Sequence, residues 1–227
     1  MAAKATQSLS RAEQAIPPDA LDERIMLARM WDNLYRHSHD KSDGAQARKI
    51  LSALTDKAEV SGVSWLTLGM FDEADANAND AQASYRKAIE QLPEWSQDRI
   101  IAQNNLAMVL AQNGGDLSEA ANLATAAIKL APDAAPLHDT LAFVEQKRQH
   151  YPDAAASALN AVRLAPRTVQ YRVRLARALL SGKKLTEAQA AIHEMDSIQL
   201  DAPSETEKRD LDALKAELDA SAPRANG

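Results

Sequence analysis

The sequence contains no cysteine, which excludes a disulfide framework, a thiolate zinc site and a thiol nucleophile together. Aromatic residues are scarce at 4%, so a core must be assembled from Ala, Leu, Ile and Val. Only seven glycines occur in 227 residues. In an alanine-rich chain this argues for helix almost everywhere, since alanine is the best helix former and glycine among the worst. No apolar run approaches the roughly 18 residues of a membrane span, and the first residues lack the apolar centre of a signal peptide. Surplus positive charge is missing as well. A formal net charge of −6 opposes nucleic-acid binding and adsorption to anionic membranes. There is no Ser/His/Asp set, nucleophile elbow, phosphate loop or dinucleotide fingerprint, so neither an enzyme nor a cofactor is expected. His37-Ser38-His39-Asp40 reads as a polar loop, not as a metal site, and a cytoplasmic location is the default. The periplasm becomes an option if the chain is a fragment of a longer protein.

What the chain does have is a repeat. The pairs Ala120/Ala154, Ala127/Ala161 and Pro132/Pro166 each lie 34 residues apart. Leu106-Ala107 answers Leu141-Ala142 at 35, because Gly114-Gly115 adds one residue to the first copy. A fixed period of this length marks a series of supersecondary units, none of which can bury its apolar face alone.

In chain order, residues 1–18 read as a flexible leader stopped by Pro17-Pro18. Residues 19–60 read as a worn helix pair. Its first helix carries Leu21, Ile25, Ala28, Met30, Trp31 and Leu34 at helical spacing, His37 to Gly44 is a polar break, and a second helix follows from Ala45. Clear units follow at 61–95, 100–134, 135–168 and 169–202, with four extra residues around Trp95–Arg99. Trp31, Trp65 and Trp95 read as packing residues between units. Ser204 to Glu207 forms a capping box that opens a terminal helix over 203–219, with Leu211, Leu214 and Leu218 inward and Asp210, Asp212, Lys215 and Glu217 outward. Residues 220–227 read as a flexible tail.

The units resemble tetratricopeptide repeats. Residues 61–95 match most fully, through Trp65, Leu68, Gly69, Ala81, Tyr85, Ala88 and Pro93. The next two units match at Leu106-Ala107, Ala120, Ala127 and Pro132, then at Leu141-Ala142, Ala154, Ala161 and Pro166, with Ala124 and Ala158 in place of the mid-helix aromatic. The resemblance implies an all-α, right-handed α-solenoid of antiparallel helix pairs with a C-terminal capping helix. It also implies that the first helix of each pair lines a concave groove.

Helical angle on the last unit puts Gln170, Arg174, Arg177 and Ser181 opposite the packed Leu175, Ala176, Leu179 and Leu180. By resemblance the equivalent groove positions are Leu66, Met70 and Glu73, then Asn104, Met108 and Gln112, then Asp139, Phe143 and Lys147. Met70, Met108 and Phe143 form an adaptable apolar lining. Seven cations and no acid lie between Asp153 and Glu187, from Arg163 to Lys184. They are either a receptor for an acidic peptide, a C-terminal carboxylate or a phosphate, or a solvated face paired with acids of the last helix. Leu66, Met70, Pro136 and Asp139 depart from the Lys/Asn/Arg clamp that one branch of the family uses for chaperone tails. The expected function is noncovalent binding of a protein segment by a monomeric scaffold. The alternative is a structural spacer or self-assembly module in a larger complex, such as bacterial envelope or polysaccharide-export machinery.

Overall fold

A computed structural model describes residues 2–57 and 59–221 of the chain. Among them are twelve α-helices and no strand. The residues at 222–227, read from sequence as tail, lie outside the described part. Contacts divide the chain into two units, Met1–Val109 and Leu110–Gly227.

The first unit begins with α1 (Ala2–Ala15), α2 (Leu21–Ser38) and α3 (Lys41–Leu54), followed by α4 (Ser61–Ala74), α5 (Ala78–Gln91) and most of α6 (Gln97–Gln112). The segment expected to be a mobile leader is therefore a helix. Its Leu9 is 7% exposed and joins Ile25, Ala28, Trp31 and Leu51 in one core, with Ala12 and Ile16 packed beside them. The prolines stop α1 but do not prevent it. The polar break expected over 37–44 is also shorter, because α3 starts at Lys41 with Asp40 as its cap, accepting from Ser42 N at 2.9 Å. Gly44 is inside that helix and lets the Tyr35 ring approach to where a Cβ would meet it at 3.2 Å.

Between α4 and α5 the close contact depends on one glycine. A Cβ on Gly69 would lie 2.6 Å from the ring of Tyr85, which is fully buried between the two helices. Ala81 and Ala88, one turn to either side of Tyr85, are also fully buried.

The second unit contains α7 (Leu117–Leu130), α8 (Ala135–Lys147), α9 (Tyr151–Leu164), α10 (Val169–Ser181), α11 (Leu185–Asp196) and α12 (Glu205–Ser221). Asp116 caps α7 by accepting from Ser118 N and Glu119 N at 2.7 and 3.1 Å. The repeated alanines Ala120, Ala124, Ala127, Ala154, Ala158 and Ala161 are all fully buried, as residues at close helix contacts must be. Pro93, Pro132 and Pro166 each come one residue after a helix C-cap, at Leu92, Ala131 and Ala165. The Ser204 box closes both ways: Glu207 N donates to Ser204 Oγ, and Ser204 N donates to Glu207 Oε2 at 2.8 Å. The Ser204 hydroxyl, donating to the same Oε2 at 2.7 Å, and then its backbone N–H hold the Glu207 carboxyl below its ordinary range.

Four tight turns at helix C-termini share one geometry. Ala76, Gly114, Gln149 and Lys183 take the left-handed conformation, with φ of 59, 72, 64 and 61°. The following residue then donates five positions back: Asn77 to Asp72, Gly115 to Leu110, His150 to Glu145 and Lys184 to Leu179, at 2.8–2.9 Å. This closes the orphan carbonyls at a helix end. Only one of the four turns uses the residue best suited to a positive φ.

Candidate functional site

In the second unit α8, α10 and α12 line a groove of about 610 Å³. Its lining includes Phe143, Lys147, Gln170, Arg174, Arg177 and, from α12, Glu207 and Asp210. Asp139 of α8 anchors two of the lining residues. It is 3% exposed and accepts from Gln170 Nε2 at 2.7 Å and from both Nε and Nη2 of Arg174. This two-point fork compensates a buried carboxylate and also commits the Arg174 guanidinium. Arg174 as a donor to a ligand, expected from its place on the stripe, is thereby turned inward to Asp139. Burial, with the Asp139 charge adding to it, pushes the neighbouring Tyr171 hydroxyl up from its ordinary range.

Phe143 is half-buried, with the Arg174 guanidinium 4.9 Å and the Lys147 ammonium 5.3 Å from its ring centre. The ring face that sequence alone reads as bare apolar lining thus carries two cations. Arg177 is paired more loosely, 3.6 Å from Glu217 of α12, with both side chains substantially exposed. The remaining cations of the 163–184 stretch divide. Arg172 is buried and donates to Pro166 O, which makes it a structural brace, while Arg167 pairs with Asp201 at 3.1 Å. Arg163, Lys183 and Lys184 face solvent.

Of six other expected groove residues, five lie in the first unit, Leu66, Met70, Glu73, Asn104 and Met108, while Gln112 falls in the second. Met70 of α4 is 45% exposed, and Asn104 and Met108 of α6 are half-buried. The Asn104 Oδ1 is buried without a hydrogen-bond partner among the described residues. Leu66 is buried and Glu73 accepts from the Tyr85 hydroxyl at 2.6 Å, so both serve the helix pair. Burial raises the Tyr85 hydroxyl far above its ordinary range, and the Glu73 hydrogen bond adds to the effect. Sequence reasoning missed Met26 and Met30. Met30 shares the helical spacing of the apolar stripe but is 51% exposed, and Met26 is 63% exposed. With Leu9 and Leu34 they line an apolar hollow of about 580 Å³ between α1 and α2. The hollow could not be read from sequence because α1 was not expected there. Trp95, assigned to packing, is 81% exposed in the short connection before α6.

One cluster among the described residues has metal-ligand chemistry: Glu145, His150 and Asp153 bring ligand atoms within 4.8 Å of one another. The Glu145 carboxylate already accepts from Arg148 at 2.8 Å and is 2.9 Å from His150 Nδ1. The guanidinium opposes a second cation there, and the trio reads as a brace for the α8–α9 turn.

Helix pairs with small residues at their contacts and left-handed turns between them define the class: an all-α helical-repeat fold of the tetratricopeptide type. No protein-family model matches the sequence, and no curated protein matches it. The fold is nevertheless found in solved structures. BtubC from P. vanneervenii is similar over 100% of this chain and 94% of its own, with a TM-score of 0.70 at 14% identity. A thermophilic tetratricopeptide protein of Thermus thermophilus is similar over 85% of this chain and 97% of its own, at 0.58 and 19% identity. PilF of Pseudomonas aeruginosa is similar over 91% and 96%, at 0.60 and 15%. Among the described residues no helix is long and apolar enough to cross a membrane.

Proposed function

We propose that the chain is a noncatalytic scaffold that binds a segment of another protein noncovalently, with the α8–α10–α12 groove as one binding surface. The observation that carries this reading is the groove itself. It has the volume of a side-chain-accepting cleft, two aromatic residues in its lining, Phe143 and Tyr151, and charged groups beside the Phe143 ring. An extended segment would place an apolar side chain against Phe143 and the edge of Arg174, and polar groups beside Gln170, Lys147 and Arg177. In the first unit, the exposed Met70 and the half-buried Met108 offer further apolar contacts. Methionines adapt to differing apolar side chains, which suits a scaffold that accepts more than one sequence.

The test is a displayed peptide library selected on the wild-type protein and re-measured on Phe143→Asp. Enriched peptides should lose about tenfold or more in affinity, the effect of removing a central aromatic contact, while circular dichroism stays helical. Unchanged affinity would remove the groove from the binding surface. A second reading is a self-assembly module using outer surfaces, favoured by the exposure of Trp95 and of Leu130, Leu159 and Leu164. Sedimentation that depends on concentration and is abolished by Trp95→Ser would support it.

A further inference from the structure

The cations of the groove are held in two different ways. Arg174 is committed to buried Asp139 at two points, with its side chain 17% exposed. Arg177 meets Glu217 only at 3.6 Å, with side-chain exposures of 33% and 53%. A pair so long and so wet contributes little to stability and exchanges partners readily. Lys147 projects into solvent beside Phe143. On the other side of α10, Glu207 and Asp210 of α12 line the same groove, and Leu214 and Leu218 anchor that helix in the core. The acids therefore occupy fixed positions beside the basic stripe. Glu207, Asp210 and Glu217, spaced three and seven residues apart, share one side of α12.

From this we propose that the groove takes an acidic protein segment, and that Glu217 is a built-in competitor for Arg177 which such a segment must displace. The inference rests on the reading of the groove as a binding surface. Incoming carboxylates would take Lys147 and Arg177, while Arg174 remains with Asp139 and holds the Phe143 wall in place. Glu207 and Asp210 then repel the segment from the α12 side and confine it to the α8–α10 side. A competitor of this kind lowers affinity for weakly acidic sequences more than for dense ones, which sets a charge threshold.

The experiment is fluorescence anisotropy with a labelled glutamate-rich peptide and a lysine-rich counterpart, on the full chain. Glu217→Gln should tighten the glutamate-rich peptide roughly two- to five-fold, as expected for removing an exposed competing ion pair. Lys147→Gln with Arg177→Gln should weaken it by about tenfold or more, and in that background Glu217→Gln should have no effect. Affinity should fall steeply as salt rises. Equal affinity of wild type and Glu217→Gln, or preference for the lysine-rich peptide, would overturn the proposal. Library peptides that need Phe143 but show no acidic preference would overturn it too, while leaving the scaffold reading intact. If no peptide of any charge binds, both readings fall.

Discussion

Each unit builds the same trio, an aspartate, an arginine and a phenylalanine, and uses it differently. In the first unit Arg48 pairs with Asp72, which is 1% exposed, and its guanidinium lies 5.0 Å over the Phe71 ring. In the second, Arg174 pairs with Asp139 and lies 4.9 Å over Phe143. Phe71 is 2% exposed and belongs to the core, whereas Phe143 is half-buried and faces a groove. In the first unit the arginine is the exposed partner, 36% accessible, and in the second it is itself mostly covered. Pairwise chemistry therefore does not mark a site. What distinguishes the second trio is the space beside it and the loosely held cations around it. The units also differ in what they expose. Met26, Met30 and Met70 stand out of the first, while Met195, in the second, is 5% exposed.

The sharpest way to break the comparison is to remove each aspartate. Asp139→Ala leaves Arg174 mostly buried and unpaired, so denaturant unfolding should report a loss of about 3 kcal/mol. Asp72→Ala should cost less, about 1–2 kcal/mol, because Arg48 can turn to water and only the Ser84 hydroxyl is left unpaired. Equal losses would mean that the two trios are equivalent in spite of their different exposure. Burial raises the Asp72 carboxyl above its ordinary range, and Arg48 pulls it back only in part, consistent with the weaker pairing.

Next in size is Gly69→Ala. The added methyl meets the Tyr85 ring inside 3 Å, and the ring is enclosed on all sides. A loss of about 1–3 kcal/mol is expected in thermal or chemical unfolding, mainly from overpacking the α4–α5 contact. Gly114→Ala makes the contrast: nothing lies within 4 Å of its Cβ, so its cost should be only that of the left-handed backbone, about 1 kcal/mol. The smallest effect runs the other way. Ala76→Gly and Lys183→Gly, at the left-handed turns of the first and second unit, should each stabilise by about 0.5–1 kcal/mol. A destabilised variant would show that the side chain contributes more than the conformation costs.

Much of the fold is legible in the sequence. The alanine and proline period marks which helices pair, because only small residues permit those contacts and proline must follow a helix end. The stripe Gln170, Arg174, Arg177 on one face of α10 was likewise readable from angle alone, as was the Ser204 box. The errors are of one kind. Met30 and Trp95 read as packing residues because large apolar side chains usually pack, yet both are exposed. Residues 1–18 read as a leader because two prolines usually end structure, yet Ala2–Ala15 is a helix.

What the sequence determined by itself is local and periodic: where helices start, stop and turn, and which of their faces are small and apolar. Only the tertiary structure decided which charges meet. Asp139 claims Arg174 from 35 positions away, Glu217 reaches Arg177 across helices, and α1 packs beside α2. Such partners are set by how helices approach one another, and a difference of one turn exchanges a buried fork for a free cation. Spacing along a chain carries no record of that choice.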